Sequence, residues 1–232
     1  MRRSTLTLVV FVTLAAAAAH GQAPGRPGAR AQQPPPPPRP LTAPPAQLPD
    51  KGKLEGSVYT NDFFRVSVRV PQDWFVNRTE LPEEAKEMLE GTARNRRQQE
   101  QINASVARST ILLNLTKLPP GPAEQFNAAF VVVAERIPSA VVRSGEDVLR
   151  LMEKSFENTA VKIEWLDPVH TERVGGVDFG VAGAKVTFPV GSVVQKYYVI
   201  VRNGYALQLI FSYMDEADLA TLRGIVKSIK FN

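Results

Sequence analysis

Gln195-Lys196-Tyr197-Tyr198-Val199-Ile200-Val201-Arg202-Asn203-Gly204-Tyr205-Ala206-Leu207-Gln208-Leu209-Ile210-Phe211-Ser212-Tyr213 is the stretch on which the fold class turns. Two runs rich in β-branched and aromatic residues, 193–202 and 205–213, flank an Asn-Gly pair. Both residues tolerate the positive φ angles of a two-residue turn, so the stretch reads as an antiparallel hairpin. The same grammar continues upstream. Gly175-Gly176 separates expected strands at 170–174 and 177–188, and another is expected at 161–165. Farther back, 110–115 and 128–134 are apolar enough to be central strands, joined by a loop through Pro119-Pro120-Gly121-Pro122. Antiparallel runs separated by a few helices make an α+β fold and not a parallel βαβ repeat.

Three helices are predicted. Ser144 and Asp147 have the spacing of a capping box, and behind them a helix over 144–158 places Val148, Leu151, Met152 and Phe156 on one face. A final helix opens at Asp215 and turns Leu219, Leu222, Ile225, Val226 and Ile229 to one side, after which Ser228-Ile229-Lys230-Phe231 closes the domain. The longest is expected from Glu80 to Ala107, with Glu80, Glu83 and Glu84 in its first turns and Arg94, Arg96 and Arg97 later, the sense that complements the helix dipole. Those three arginines are a candidate interaction surface, set against a plain solvated face. Order is expected to begin at Ser57. Val58-Tyr59 and Arg65-Val66-Ser67-Val68-Arg69-Val70 alternate with period two, and Pro71-Gln72-Asp73-Trp74 turns a large aromatic residue back against the sheet as core.

Composition excludes much chemistry. The 232 residues carry 28 Lys plus Arg, 23 Asp plus Glu, two His and no Cys. Without thiols there is no disulfide, cysteine nucleophile, iron–sulfur cluster or thiolate zinc site. Met1-Arg2-Arg3, the uncharged stretch 6–19 and Ala19-His20-Gly21 have the layout of an export signal, cut between Gly21 and Gln22, with an uncleaved anchor as the alternative. The apolar stretch is too short to cross a bilayer comfortably, so no stable membrane span is expected after cleavage. Residues 22–56 are dominated by Pro, Gly, Ala, Gln and Arg, with Pro34-Pro35-Pro36-Pro37-Pro38 consecutive, and read as a disordered arm with polyproline II character. The expected organisation is a signal peptide over 1–21, this arm over 22–56, and one domain over 57–232, exported to the periplasm or beyond. A net charge of +5, lowered further by loss of Arg2 and Arg3, is too small to argue for nucleic acid.

Two segments carry a resemblance. Tyr59-Thr60-Asn61-Asp62-Phe63-Phe64-Arg65-Val66-Ser67-Val68-Arg69-Val70-Pro71-Gln72-Asp73-Trp74 resembles the opening hairpin of the PsbP-like family (PsbP/Mog-type domains), which ends in Pro-x-x-Trp. Gln195-Lys196-Tyr197-Tyr198, Gly204-Tyr205-Ala206-Leu207 and Ser228-Ile229-Lys230-Phe231 are similar to that family's last hairpin, helix and closing strand. The resemblance implies an α/β/α sandwich with a central antiparallel sheet, and a scaffold whose characterised members bind proteins and are not enzymes. It transfers no site.

The catalytic possibilities are few. His170 is the only imidazole after the leader, no Gly-x-Ser-x-Gly elbow exists, and His170 itself reads as a strand residue with a local hydrogen bond. The acid pairs Glu83/Glu87 and Asp215/Asp218 fit helix starts as well as they fit hydrolysis. Gly180-Val181-Ala182-Gly183 lacks phosphate-loop spacing, and its glycines indicate a bulge or a close approach. Tyr197, Tyr198 and Tyr205 are the second candidate interaction surface, if they face outward from the hairpin. The expectation is an exported, non-enzymatic binding or accessory protein of the cell envelope with a protein partner, no metal and no cofactor. The alternative is a hydrolase or small-ligand-processing enzyme working with carboxylates alone.

Overall fold

A computed structural model describes residues 48–77, 79–80, 93–119, 126–137, 142–156, 161–188 and 191–232. The processing residues Gly21 and Gln22, the proline run and Glu83/Glu87 lie outside them. The strands are β1 (Lys53–Glu55), β2 (Val58–Asn61), β3 (Val66–Arg69), β4 (Phe75–Val76), β5 (Ser109–Thr116), β6 (Ala129–Arg136), β7 (Lys162–Val174), β8 (Val177–Phe188), β9 (Gly191–Arg202), β10 (Tyr205–Tyr213) and β11 (Lys230–Phe231). The helices are α1 (Arg96–Arg108), α2 (Gly145–Phe156) and α3 (Glu216–Ser228).

The turns form where the local chemistry places them. Asn203 and Gly204 adopt φ 53° and 81°, and Gly175 and Gly176 adopt 57° and 83°, so both two-residue loops are left-handed and match the twist of their strands. β8, β9 and β10 follow as consecutive antiparallel neighbours, with Tyr205 opposite Arg202. β6 then pairs with the far side of β10, giving the seven-stranded order β4-β5-β6-β10-β9-β8-β7. β1, β2, β3 and β11 form a second, four-stranded antiparallel sheet that joins the two ends of the described chain.

Both faces of the large sheet are covered, so the central strands are buried on both sides. On one face Phe130, Val132, Phe179, Val181, Tyr198, Leu207, Leu209 and Phe211 pack under Tyr59, Phe64, Val66 and Val68 of the small sheet and Leu222 and Ile225 of α3. On the other, Val131, Val133, Ala182, Ala184, Tyr197, Val199 and Ile210 pack under Val148, Leu149 and Met152 of α2, with Ile102 and Val106 of α1 beside them. This is the α+β sandwich expected, with the small sheet sharing the α3 layer. Trp74 is core, as expected.

The caps behave as their spacing predicts. The Asp147 amide donates to Ser144 Oγ at 3.1 Å and the Ser144 amide to Asp147 Oδ2 at 3.0 Å, closing the capping box of α2. Those hydrogen bonds hold the Asp147 carboxyl below the usual range, the Arg143 amide contributing most. The Asp218 amide donates to Asp215 Oδ1 at 2.8 Å at the start of α3. The glycines of β8 mark a close approach: a Cβ on Gly180 would lie 2.3 Å from the Gly145 carbonyl carbon, so the first turn of α2 sits directly on the strands.

Three expectations are corrected. The long helix starting at Glu80 is not continuous, because Asn95 is extended (φ −157°, ψ 165°) and caps a helix that begins only at Arg96. Its first turn therefore carries Arg96 and Arg97 and no acidic residue, the reverse of the dipole-matched arrangement expected. Residues 161–165 and 170–174 are one strand, β7, which passes Pro168 through two register shifts. Being at the sheet edge, that strand tolerates a residue without an amide donor. Strand order also begins earlier than Ser57. Lys53–Glu55, read as the end of the arm, pairs with β2, where Asp50 accepts from the Gly52 amide at 2.7 Å.

Candidate functional site

Neither tyrosine on β9 reaches the surface. Tyr197 is 0% exposed, Tyr198 6% and Tyr205 3%, so the tyrosine platform is corrected to core packing. Consecutive strand residues point to opposite faces, and with both faces covered each ring is buried whichever way it points. Tyr205 meets Phe63 and Phe64 edge-on at 5.6 and 6.0 Å, while Tyr197 packs beside Trp165 and donates to Gln195 Oε1 at 2.5 Å. Arg94, Arg96 and Arg97 are exposed, and Arg96 Nε pairs with Glu100 Oε1 at 3.0 Å. The structure does not bring these arginines and tyrosines together into one surface. Of the acid pair Asp215/Asp218, Asp215 caps α3 and Asp218 accepts from Lys117 Nζ at 2.6 Å. Both have structural work.

A set of interacting titratable side chains lies instead where β7 and β9 flank β8. His170 and Glu172, two residues apart on β7, share a face with Lys196 and Tyr198, two apart on β9. Glu172 is the hub. Its Oε1 accepts from His170 Nε2 at 3.0 Å and pairs with Lys196 Nζ at 3.5 Å, and its Oε2 accepts from the Tyr198 hydroxyl at 3.0 Å. Lys196 Nζ also lies 5.8 Å from the centre of the Tyr198 ring. The second nitrogen of His170, Nδ1, faces the Pro168 carbonyl at 2.9 Å. Gly183 leaves room on the floor of this cluster for Asp167, whose carboxylate lies 2.7 Å from where a Cβ would be.

The electrostatics follow from these contacts. Burial pushes the Glu172 carboxyl up, yet the His170 hydrogen bond, the Lys196 charge and the Tyr198 hydroxyl together outweigh it and hold the group below its usual range. The Pro168 carbonyl, then Glu172, raise the His170 imidazole. Burial first, and the Glu172 charge next, push the Tyr198 phenol well above its usual range. Tyr198 is thus a hydrogen-bond donor at any physiological pH and not a nucleophile.

A second polar group is buried under α1. Glu135 on β6 accepts from Ser105 Oγ at 2.5 Å and from Gln208 Nε2 at 3.3 Å, and Arg108 Nη2 lies 3.7 Å away. Sequence reading missed both clusters, since the side chains they join lie on different elements, with hydrogen-bonded partners up to 73 positions apart. The only signal was the i, i+2 spacing of His170/Glu172 and of Lys196/Tyr198 on expected strands. Among the described residues no group of three or more His, Cys, Asp or Glu is placed to hold a metal ion, and no helix is long and apolar enough to cross a membrane.

No family model and no curated protein matches the chain. Solved structures do. LpqN, involved in cell envelope biogenesis of Mycobacterium tuberculosis, is similar at 15% identity with a TM-score of 0.41, over 72% of this chain and 83% of that one. A cyanobacterial PsbP from Synechocystis is similar at 11% identity with a TM-score of 0.44, over 78% of this chain and 98% of that one. A protein from Bacteroides thetaiotaomicron is similar at 10% identity with a TM-score of 0.38, over 72% of this chain and 45% of that one. The second belongs to the family that the residues at the two ends of the folded part resemble. At these identities and scores the likenesses are of fold and decide nothing about activity or partner.

Proposed function

We propose that this chain is an exported accessory protein of the cell envelope that works by binding another protein and not by catalysis. The observation that carries the reading is apolar exposure at both edges of the seven-stranded sheet. Phe75 and Val76 of β4 are 43% and 50% exposed, and Leu166 of β7 is 47% exposed. Edge strands present unpaired backbone groups, which soluble proteins ordinarily defend with charge or proline, as β7 does with Pro168 and its charged side chains. Large apolar side chains there fit a surface that a partner covers. The leader supports export, through its positive start, uncharged core and small residues at the expected cut.

The test is a photo-crosslinking amino acid placed at position 75, at position 166 or, as a control, at exposed Lys230, in the full chain expressed in its own cells. One stoichiometric protein adduct from 75 or 166 and none from 230 is the expected result. Absence of any adduct from both edge positions overturns the proposal.

A further inference from the structure

His170 is set between two acceptors. The Pro168 carbonyl oxygen, 2.9 Å from Nδ1, can only accept a hydrogen bond. The Glu172 carboxylate, 3.0 Å from Nε2, also receives Lys196 and Tyr198, and these donors keep it ionised. A neutral imidazole has one N–H and would turn a lone pair on one of the two acceptors, whereas the imidazolium satisfies both. One contact reaches into the irregular part of β7, at Pro168, and the other lies just beyond it, at Glu172. The register with β8 shifts between Trp165 and Asp167 and again between Asp167 and His170, and Pro168 within it has no amide to give the ladder.

We propose that His170 is a proton-operated clamp on the bulge of the edge strand β7: as an imidazolium it ties the Pro168 carbonyl to Glu172, and on losing its proton it frees the bulge at 166–169. The groups facing it are Glu172 on its own strand and Lys196 and Tyr198 on β9, while β8 presents Val181 opposite. Arg223 of α3 and Asp167 act on Tyr198 beyond them. Lys196 opposes the imidazolium, and Glu172 stands between the two cations.

The sign is fixed by the two titrations. His170 is raised above 6.5, so its share of the clamp is complete below that value and is lost as pH rises through the raised one. Glu172 is lowered from 4.5, so its share is complete above that value and is lost as pH falls through the lowered one. The clamp is therefore closed in mildly acid conditions and opens toward alkaline pH. The proposal is independent of any partner.

Nitrogen NMR of the histidine rings in the full chain, with the His170→Gln variant to tell His170 from His20, reads the charge directly. Both ring nitrogens of His170 should stay protonated to a pH above 6.5. Hydrogen exchange of the amides of 165–172, corrected for its intrinsic pH dependence, should speed up by about tenfold across the titration, the scale of one lost charged hydrogen bond. His170→Gln and Glu172→Gln should each remove that pH dependence. A single neutral tautomer at pH values near 6, or wild-type exchange that ignores the titration, overturns the clamp, and the ring measurement stands even if a variant fails to fold.

Discussion

Under the four-stranded sheet, Phe130 and Phe211 stack 4.7 Å apart and Phe179 and Tyr198 meet edge-on at 6.2 Å, while the opposite face carries mostly aliphatic side chains around Tyr197, together with several buried polar ones. On that second face Glu135, Gln208, Gln195 and Ser212 are all at most 2% exposed. Gln195 Nε2 donates to Ser212 Oγ at 2.9 Å, and Glu135 receives Ser105 from α1. The aromatic face gains by area, which is insensitive to small shifts. The polar face gains little net energy from each hydrogen bond but loses heavily when one partner is left unpaired, so it fixes where α1 sits more than how strongly the sandwich holds. α1 needs such fixing because it is polar on most sides and buries only Ser105 fully.

The largest effect is expected on the aromatic side. Phe211→Ala removes one ring of the stacked pair from a site 1% exposed and should cost about 3–5 kcal/mol of stability, read as a lower midpoint in urea unfolding. Equal loss from a truncation on the helix face would break the contrast. Glu135→Leu keeps volume but removes the acceptor of the Ser105 and Gln208 hydrogen bonds and the charge facing Arg108, for a loss of roughly 2 kcal/mol. Its signature is local: amides of α1 should lose exchange protection before those of β10, and uniform loss across both would show that the polar face supports the whole sandwich. Ser144→Ala breaks the α2 capping box and should cost about 1 kcal/mol, with α2 fraying from its first turn in the same exchange experiment.

Much of the architecture was legible because it rests on residues close in sequence. The turn at Asn203-Gly204, the capping box at Ser144 and Asp147, the Asp215 cap and the apolar stripe of α2 each depend on spacings of four residues or fewer along a helix or turn. His170 was read as a strand residue with a local hydrogen bond, and its Pro168 and Glu172 contacts, both two residues away, are that. The misread helix was a choice between two local signals. Acidic residues at 80–84 and arginines at 94–97 fit the dipole of one long helix, but the window also holds a competing start signal, Asn95 with Gln98 three residues on, and in the structure the Gln98 amide donates to Asn95 Oδ1 at 3.0 Å and a helix begins there.

The sequence by itself determined the α+β class, the hairpin order of β8, β9 and β10, and the starts of α2 and α3, since backbone sterics and capping hydrogen bonds act over a few residues. Only the tertiary structure decided that Tyr197, Tyr198 and Tyr205 are core, that Lys53–Glu55 is a strand, and that Glu172 gathers His170, Lys196 and Tyr198. Strand alternation tells which residues share a face; it does not tell whether that face is covered, or which distant strand supplies the neighbours. Those depend on sheet order and layer packing, which are set by contacts between residues far apart in the chain.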